Sequence, residues 1–230
     1  MKNNLLTFLA IVFISTLLMA FKPNPVTPSK HKFVVVLDAG HGGKDPGNRG
    51  GGFNEKDIAL SIVLKVGKEL EKNENIKVIY TRSTDVFIEL DKRAEIANDA
   101  KADLFISVHC NAHNSQAYGT ETFVLGLHRN QANFEVAKRE NSVIFLEEDY
   151  DITYDGFDPN SPESYIGMQI MQEEYLDQSI LLADYVQKKF THELKRNDRG
   201  VKQAGFLVLR QTYMPSVLIE TGFLTNEEEG

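Results

Sequence analysis

Residues 33–38, Phe-Val-Val-Val-Leu-Asp, are apolar up to the aspartate. Such an unbroken run is expected of a strand covered on both faces. A glycine-rich loop follows from Gly40 to Gly52. Asn54 then stands where it can cap a helix, and Ile58, Ile62, Val66 and Leu70, with Ala59 and Val63 alongside, repeat at helical spacing. Residues 76–82 predict a second strand. Residues 85–100 predict a helix with Leu90, Ala94 and Ala97 facing inward. Residues 102–109 and 120–125 predict two more strands, residues 169–196 a long helix, and residues 205–210 and 216–220 the last two strands. Strands alternating with helices predict an α/β fold: an open, largely parallel twisted sheet of about six strands with helices on both faces.

Residues 127–168 do not fit this rhythm. They are charged and rich in turn formers, and no clean period runs through them. A stretch of this length inside a domain is commonly functional or mobile, though a solvated surface excursion is an equal alternative.

The N-terminus is set apart from the fold. Lys2 precedes an apolar run from Leu5 to Phe21, and a proline-rich linker occupies 22–32. A basic start, an apolar stretch and small residues at its end, with Ala20 a plausible cleavage point, read as an export signal over 1–21. An uncleaved anchor is the alternative, since the run is close to the shortest that spans a bilayer. Either way the remaining domain, 33–230, is expected in the periplasm or cell envelope. The net charge of −8 argues against a nucleic-acid partner, because phosphate binding needs a basic face. Cys110 is the only cysteine, so no internal disulfide can form.

Ligands of open α/β sheets bind at the carboxyl ends of strands. His41 follows the first predicted strand, His109 ends the third and Glu220 ends the last, while Glu55 opens the first helix. Two imidazoles and a carboxylate suit a Zn²⁺ that keeps one position open for water and lowers that water's pKa toward ~7. A carboxylate off the metal can then move protons to a leaving amine, as an amide hydrolase requires. Taken singly, each residue has a plainer reading. A strand-end histidine is more often an ordinary hydrogen-bonded side chain, Glu55 could answer the helix dipole, and Glu220 could form a salt bridge. Strand alternation turns Cys110 away from a site that His109 faces. His113 is expected to be exposed, and His31, His128 and His192 receive no role.

The stretches VVLDAGHGGKDPGNRG, EKDIAL, SVHCNA and PSVLIETGFLTNEEE, in this order, resemble the successive motifs of zinc-dependent N-acetylmuramoyl-L-alanine amidases of the amidase-3 type. TRSTDVFIELDKRAEIAN resembles the family's second strand and the helix after it, so the likeness runs from about Phe33 to Glu229. It implies a phosphorylase/hydrolase-like fold and one Zn²⁺ held by His41, Glu55 and His109, with Glu220 as catalytic acid/base. The implied reaction is hydrolysis of the amide between N-acetylmuramic acid and L-alanine in peptidoglycan, by a monomer, during wall remodelling or daughter-cell separation.

Three features depart from the simplest family pattern. Asn111 stands where some members carry aspartate. Residues 127–168 are longer than the core fold needs. In some division-associated members an inserted helix near this place covers the zinc until a partner protein withdraws it. The resemblance thus implies a regulatory insertion, with Glu147 or Glu148 as an extra metal ligand and an activator protein as partner. Finally, the chain stops at Gly230, where family members continue into a further helix, so a shortened C-terminal end is expected. Two other functions compete. A zinc peptidase acting on the stem peptide would show a short H-x-x-E or H-E-x-x-H pair, and neither occurs. An inactive wall-binding module would have lost a ligand or the acid/base, and all four residues are present.

Overall fold

The computed structural model describes residues 32–128, 130–166 and 174–229. The expected export signal and nearly all of the linker fall outside them.

Strand β1 (Phe33–Ala39) leads into a loop containing a small hairpin, β2 (Arg49–Gly50) and β3 (Phe53–Asn54), which delivers the chain to helix α1 (Glu55–Leu70). Strand β4 (Ile76–Tyr80), helix α2 (Leu90–Asp99), β5 (Leu104–Asn111) and β6 (Thr120–Leu125) follow. Helix α3 (Gln131–Asn141), a 3₁₀ turn (Ser142–Leu146) and the short α4 (Tyr150–Thr153) fill the segment predicted to lack a period. Helix α5 (Leu176–His192), β7 (Asp198–Ala204), α6 (Leu207–Arg210) and β8 (Ser216–Phe223) complete the described residues.

The six long strands form one sheet in the order β4-β1-β5-β8-β6-β7. All neighbours are parallel except β6 and β8, which run antiparallel. The expected α/β class and the largely parallel sheet are therefore present, with one reversal. That reversal sets the amino end of β6 beside the carboxyl end of β8, so that Glu121 lies opposite Glu220.

Alternation along β1 divides the core. Val35, Leu37 and Ala39 face α1, packing on Ala59 and Val63. Val34 and Val36 face the other way, toward a larger cluster with Leu90, Phe105, Phe134 and Leu218. Helix α5 covers β6 and β8 through Ala183, Val124 and Val217.

The buried line of α1 is Glu55, Ala59, Val63 and Gly67, one position over from the bulkier residues that mark the helix in the sequence. Small residues lie closest to the sheet, and this puts Glu55, at the head of the same line, inside the protein. Asn54 stands at the cap position, but its side chain donates to Asp57 Oδ2 and does not cap the helix.

One pair of assignments is reversed. Of the residues predicted as a strand at 205–210, Leu207–Arg210 form α6, and the strand is the preceding DRGVKQA. A short apolar run buried on all sides cannot be told from a buried helical turn by period. β7 lies at the sheet edge with little apolar content, so it gives almost no signal.

Candidate metal centre

The carboxyl ends of β1, β5 and β8 meet on the sheet face that carries α3. His41 is two residues past β1, at a backbone φ of 60°, in the left-handed region where a non-glycine residue is uncommon. His109 lies two residues before the end of β5, in register with Glu220 on β8. Residues directly opposite on adjacent strands share a face, so both side chains project to the same side.

Glu55 reaches this edge from the first position of α1, entirely buried. Its Oε1 accepts the Cys110 amide at 2.8 Å, and its Oε2 accepts both the Asn48 amide and Asn48 Nδ2 at 2.8 Å. The same Oε1 lies 3.0 Å from His109 Nδ1 and 3.1 Å from His41 Nε2. Burial opposes ionisation of Glu55, but the His41 and His109 imidazoles outweigh it and hold the pKa at about 2. For His109, burial is likewise overcome, by Glu140 and Glu55, and the ring is raised to about 10.

The fourth donor is Glu140 of α3. Its Oε2 lies 3.2 Å from His41 Nε2 and 3.1 Å from His109 Nδ1. Yet His41 Nε2 and both Glu140 oxygens are buried without a hydrogen-bond partner. These atoms point at a common centre and not along hydrogen bonds to one another. Separations of 3.0–3.2 Å are near the ~3.3 Å edge of a tetrahedron with metal–ligand bonds of about 2.0 Å. Two nitrogen and two carboxylate donors, all buried, fit one Zn²⁺.

Two glycines make the convergence sterically feasible. A Cβ on Gly40 would run into the His109 ring. A Cβ on Gly47, itself at φ 65°, would lie 2.6 Å from His41 Cδ2 and 2.8 Å from Glu55 Oε2. Gly40 and Gly47 thus make room for the donor side chains themselves.

Glu220 is completely buried, and neither carboxylate oxygen has a hydrogen-bond partner. Burial, then the Glu140 and Glu55 carboxylates, push its pKa well above the usual range. Beside it, Asn111 donates to Glu121 and accepts from Arg139 Nη2 at 2.8 Å. Glu121 in turn accepts from Arg199 and Lys202.

His41, Glu55 and His109, the three residues expected as ligands, lie together, with Glu220 on the adjoining strand. Glu147 and Glu148 do not join them. Glu147 accepts the Leu90 amide at 3.0 Å and the Tyr154 hydroxyl at 2.6 Å, in a different acidic group with Glu89 and Asp91, and Glu148 is exposed. The carboxylate that this segment brings to the histidines is Glu140, seven residues earlier. Its signal in the sequence is its place on the buried line of α3, with Asn133, Phe134, Val136, Ala137 and Asn141. Asp45, which accepts from His41 Nδ1 at 2.7 Å, also has no counterpart in the sequence reading. Cys110 is buried and outside the donor set, and His113 is exposed, as expected.

A family profile described as N-acetylmuramoyl-L-alanine amidase matches residues 35–230. The chain belongs to this amidase family. The amidase is 36% identical over 203 residues to the N-acetylmuramoyl-L-alanine amidase AmiA of Escherichia coli K12, covering 86% of this chain and 68% of that protein. It is 37% identical over 196 residues to the endolysin of Bacillus phage SPP1, covering 85% and 56%. Among solved structures, the N-acetylmuramoyl-L-alanine amidase of Clostridium difficile 630 matches the amidase with a TM-score of 0.64 at 30% identity, over 86% of this chain and 84% of that one. The CwlD amidase of Clostridioides difficile, solved in complex with the GerS lipoprotein, matches with a TM-score of 0.60 at 27% identity, over 86% of each chain.

Proposed function

We propose that this amidase is zinc-dependent, that His41, Glu55 and His109 hold the metal, and that Glu220 is the catalytic acid/base. The substrate is the amide between the lactyl group of N-acetylmuramic acid and L-alanine in peptidoglycan. The observation that carries the zinc reading is the convergence of buried donor atoms at 3.0–3.2 Å, with His41 Nε2 and both Glu140 oxygens in no hydrogen bond.

Bound zinc supplies Lewis acidity that makes water nucleophilic at neutral pH. Asp45 fixes the His41 tautomer, leaving Nε2 as the donor, and Asn48 and the Cys110 amide fix the Glu55 carboxylate. Glu220 takes a proton from the attacking water and gives it to the alanine nitrogen as the C–N bond breaks. The water oxygen ends on the lactyl carboxylate, and the stem peptide leaves as a free amine.

We infer that α3 is an occluding element and Glu140 its plug. With Glu140 as the fourth donor, a tetrahedral zinc held here would have no position left for water. The helix is well anchored: Phe134 and Ala137 pack in the core, Arg139 donates to Asn111, and Asn141 donates to the Gly205 carbonyl at 2.7 Å and accepts the Leu207 amide at 2.8 Å. Withdrawal of α3, by an activator protein outside the cytoplasm, frees the fourth position. It also removes one of the two carboxylates that raise the pKa of Glu220.

Metal analysis of two variants tests the assignment. Glu220→Gln should retain one zinc per chain and lose hydrolysis, whereas His41→Ala should lose both. A Glu220→Gln protein that still cleaves peptidoglycan would overturn the role of Glu220, and zinc retained at full occupancy in His41→Ala would overturn the ligand set.

A further inference from the structure

Two buried arginines lie beneath the metal centre, and nothing in the reaction uses them. Arg82 follows β4 and is 2% exposed; Arg93, on α2, is 1% exposed. A guanidinium stays charged inside a protein, so burying two of them requires strong compensation.

Their partners are consecutive carbonyls of the chain that carries His41. Arg82 Nε and Arg93 Nη1 both donate to the Ala39 carbonyl, at 2.9 and 2.8 Å. Arg82 Nη2 donates to the Gly40 carbonyl at 2.7 Å, and Arg93 Nη2 to the His41 carbonyl at 2.8 Å. The chain leaves the sheet here and His41 adopts its left-handed backbone, so these carbonyls have lost the strand partners they would otherwise use.

Arg82 does more. The same Nη2 that holds Gly40 also donates to the carbonyl of Lys56 at 2.8 Å, in the first turn of α1 and directly after Glu55. One guanidinium nitrogen therefore bridges the backbone beside His41 to the backbone beside Glu55. Arg93 extends the linkage to the third donor strand. Its Nη1 donates to Asp38 Oδ1 at 2.9 Å, and Asp38 Oδ2 accepts the Ser107 hydroxyl at 2.6 Å, two residues before His109.

We propose that Arg82 and Arg93 are positioning residues for the metal centre. They set the spacing of His41, Glu55 and His109 by clamping the main chain beside His41 and Glu55 and by tying it, through Asp38 and Ser107, to the strand of His109. A planar fork reaches two carbonyls from one side chain, which a lysine ammonium cannot do with the same geometry. The inference rests on the zinc reading above.

The test is the zinc dissociation constant, measured by competition with a chromophoric chelator, for wild type, R82K and R93K, alongside thermal unfolding of each zinc-free protein. V124A, a core change under α5 on a strand that supplies no donor, is the matched control for lost stability. R82K and R93K should each weaken zinc binding by ~10–100-fold, the usual effect of removing a group that orients ligands, and V124A should bind as wild type does. Wild-type zinc affinity in folded R82K would overturn the proposal and leave the zinc reading standing, as would an equal loss in V124A. Wild-type protein that binds no zinc would instead overturn the zinc reading. Should R93K not fold because Asp38 loses its partner, R82K decides alone, since the hydrogen bonds of Arg82 all go to carbonyls.

Discussion

Asp45 accepts the Nδ1 proton of His41 at 2.7 Å, from four residues further along the same loop. This contact leaves Nε2 free to face the other donors. Asp45→Ala should weaken zinc binding by ~10–100-fold with little effect on the fold, because the partner of a ligating histidine fixes its tautomer and orientation. Chelator competition measures it. Unchanged affinity would mean that the loop alone orients the ring.

Glu140 fills the fourth donor position at 3.1–3.2 Å from both histidines. Glu140→Ala should therefore raise the basal release of fragments from purified sacculi by ~10-fold or more, about 1.4 kcal/mol or more in the activation barrier. Dye release from labelled peptidoglycan reports it. A folded Glu140→Ala protein with unchanged or lower activity would show that α3 does not occlude the site.

Gly47 combines φ 65° with two close neighbours, both of them proposed ligands. Gly47→Ala adds a methyl group 2.6 Å from His41 Cδ2 and 2.8 Å from Glu55 Oε2, so one ligand must move. Zinc content after gel filtration should drop well below one per chain. Full zinc content at wild-type stability would show that the loop yields without disturbing the ligands.

Asp38 gives the acid limb of stability a molecular origin. Burial opposes its ionisation, but Arg93, Ser107 and Thr81 outweigh it and hold the carboxyl below its ordinary value. A lowered folded pKa contributes stability that is complete above the unfolded value of ~3.9 and is lost as pH falls through the folded one. Asp38→Asn should flatten urea stability below about pH 4. At pH 7 it should cost about 3–5 kcal/mol, because Arg93 is left buried without its carboxylate. An acid limb identical to wild type would assign the effect to other carboxylates.

The parts legible in the sequence are those fixed by topology. Parallel strands bring their carboxyl ends to one sheet edge, so an apolar run leading into Gly-His-Gly, a second reaching His and a third reaching Glu can present those side chains together, with Glu55 at a helix start within reach. Glu140 is not legible in the same way. It sits on a helix whose buried line mixes Phe134 and Ala137 with Asn133, Glu140 and Asn141, so the apolar period that marks a helix is broken by the polar residues that work there. Glu147 attracts notice because it follows the apolar run SVIFL, but that run folds as a 3₁₀ turn that aims Glu147 at Leu90 and Tyr154. The reversal of β7 and α6 has a similar cause, with the polar edge strand silent and the buried turn strongly apolar. The arginine clamp is invisible in sequence because most of its bonds run from side chains to carbonyls, which carry no residue identity.

The proposed function stands on zinc-dependent cleavage of the bond between N-acetylmuramic acid and L-alanine. Digestion of purified peptidoglycan with the Glu140→Ala protein, with and without chelator, followed by mass spectrometry of the fragments, tests it most directly. Free stem peptides with an L-alanine amino terminus and glycan strands bare of peptide are expected, both abolished by chelator and restored by zinc. Cleavage within the stem peptide, or the same products in the presence of chelator, would contradict it.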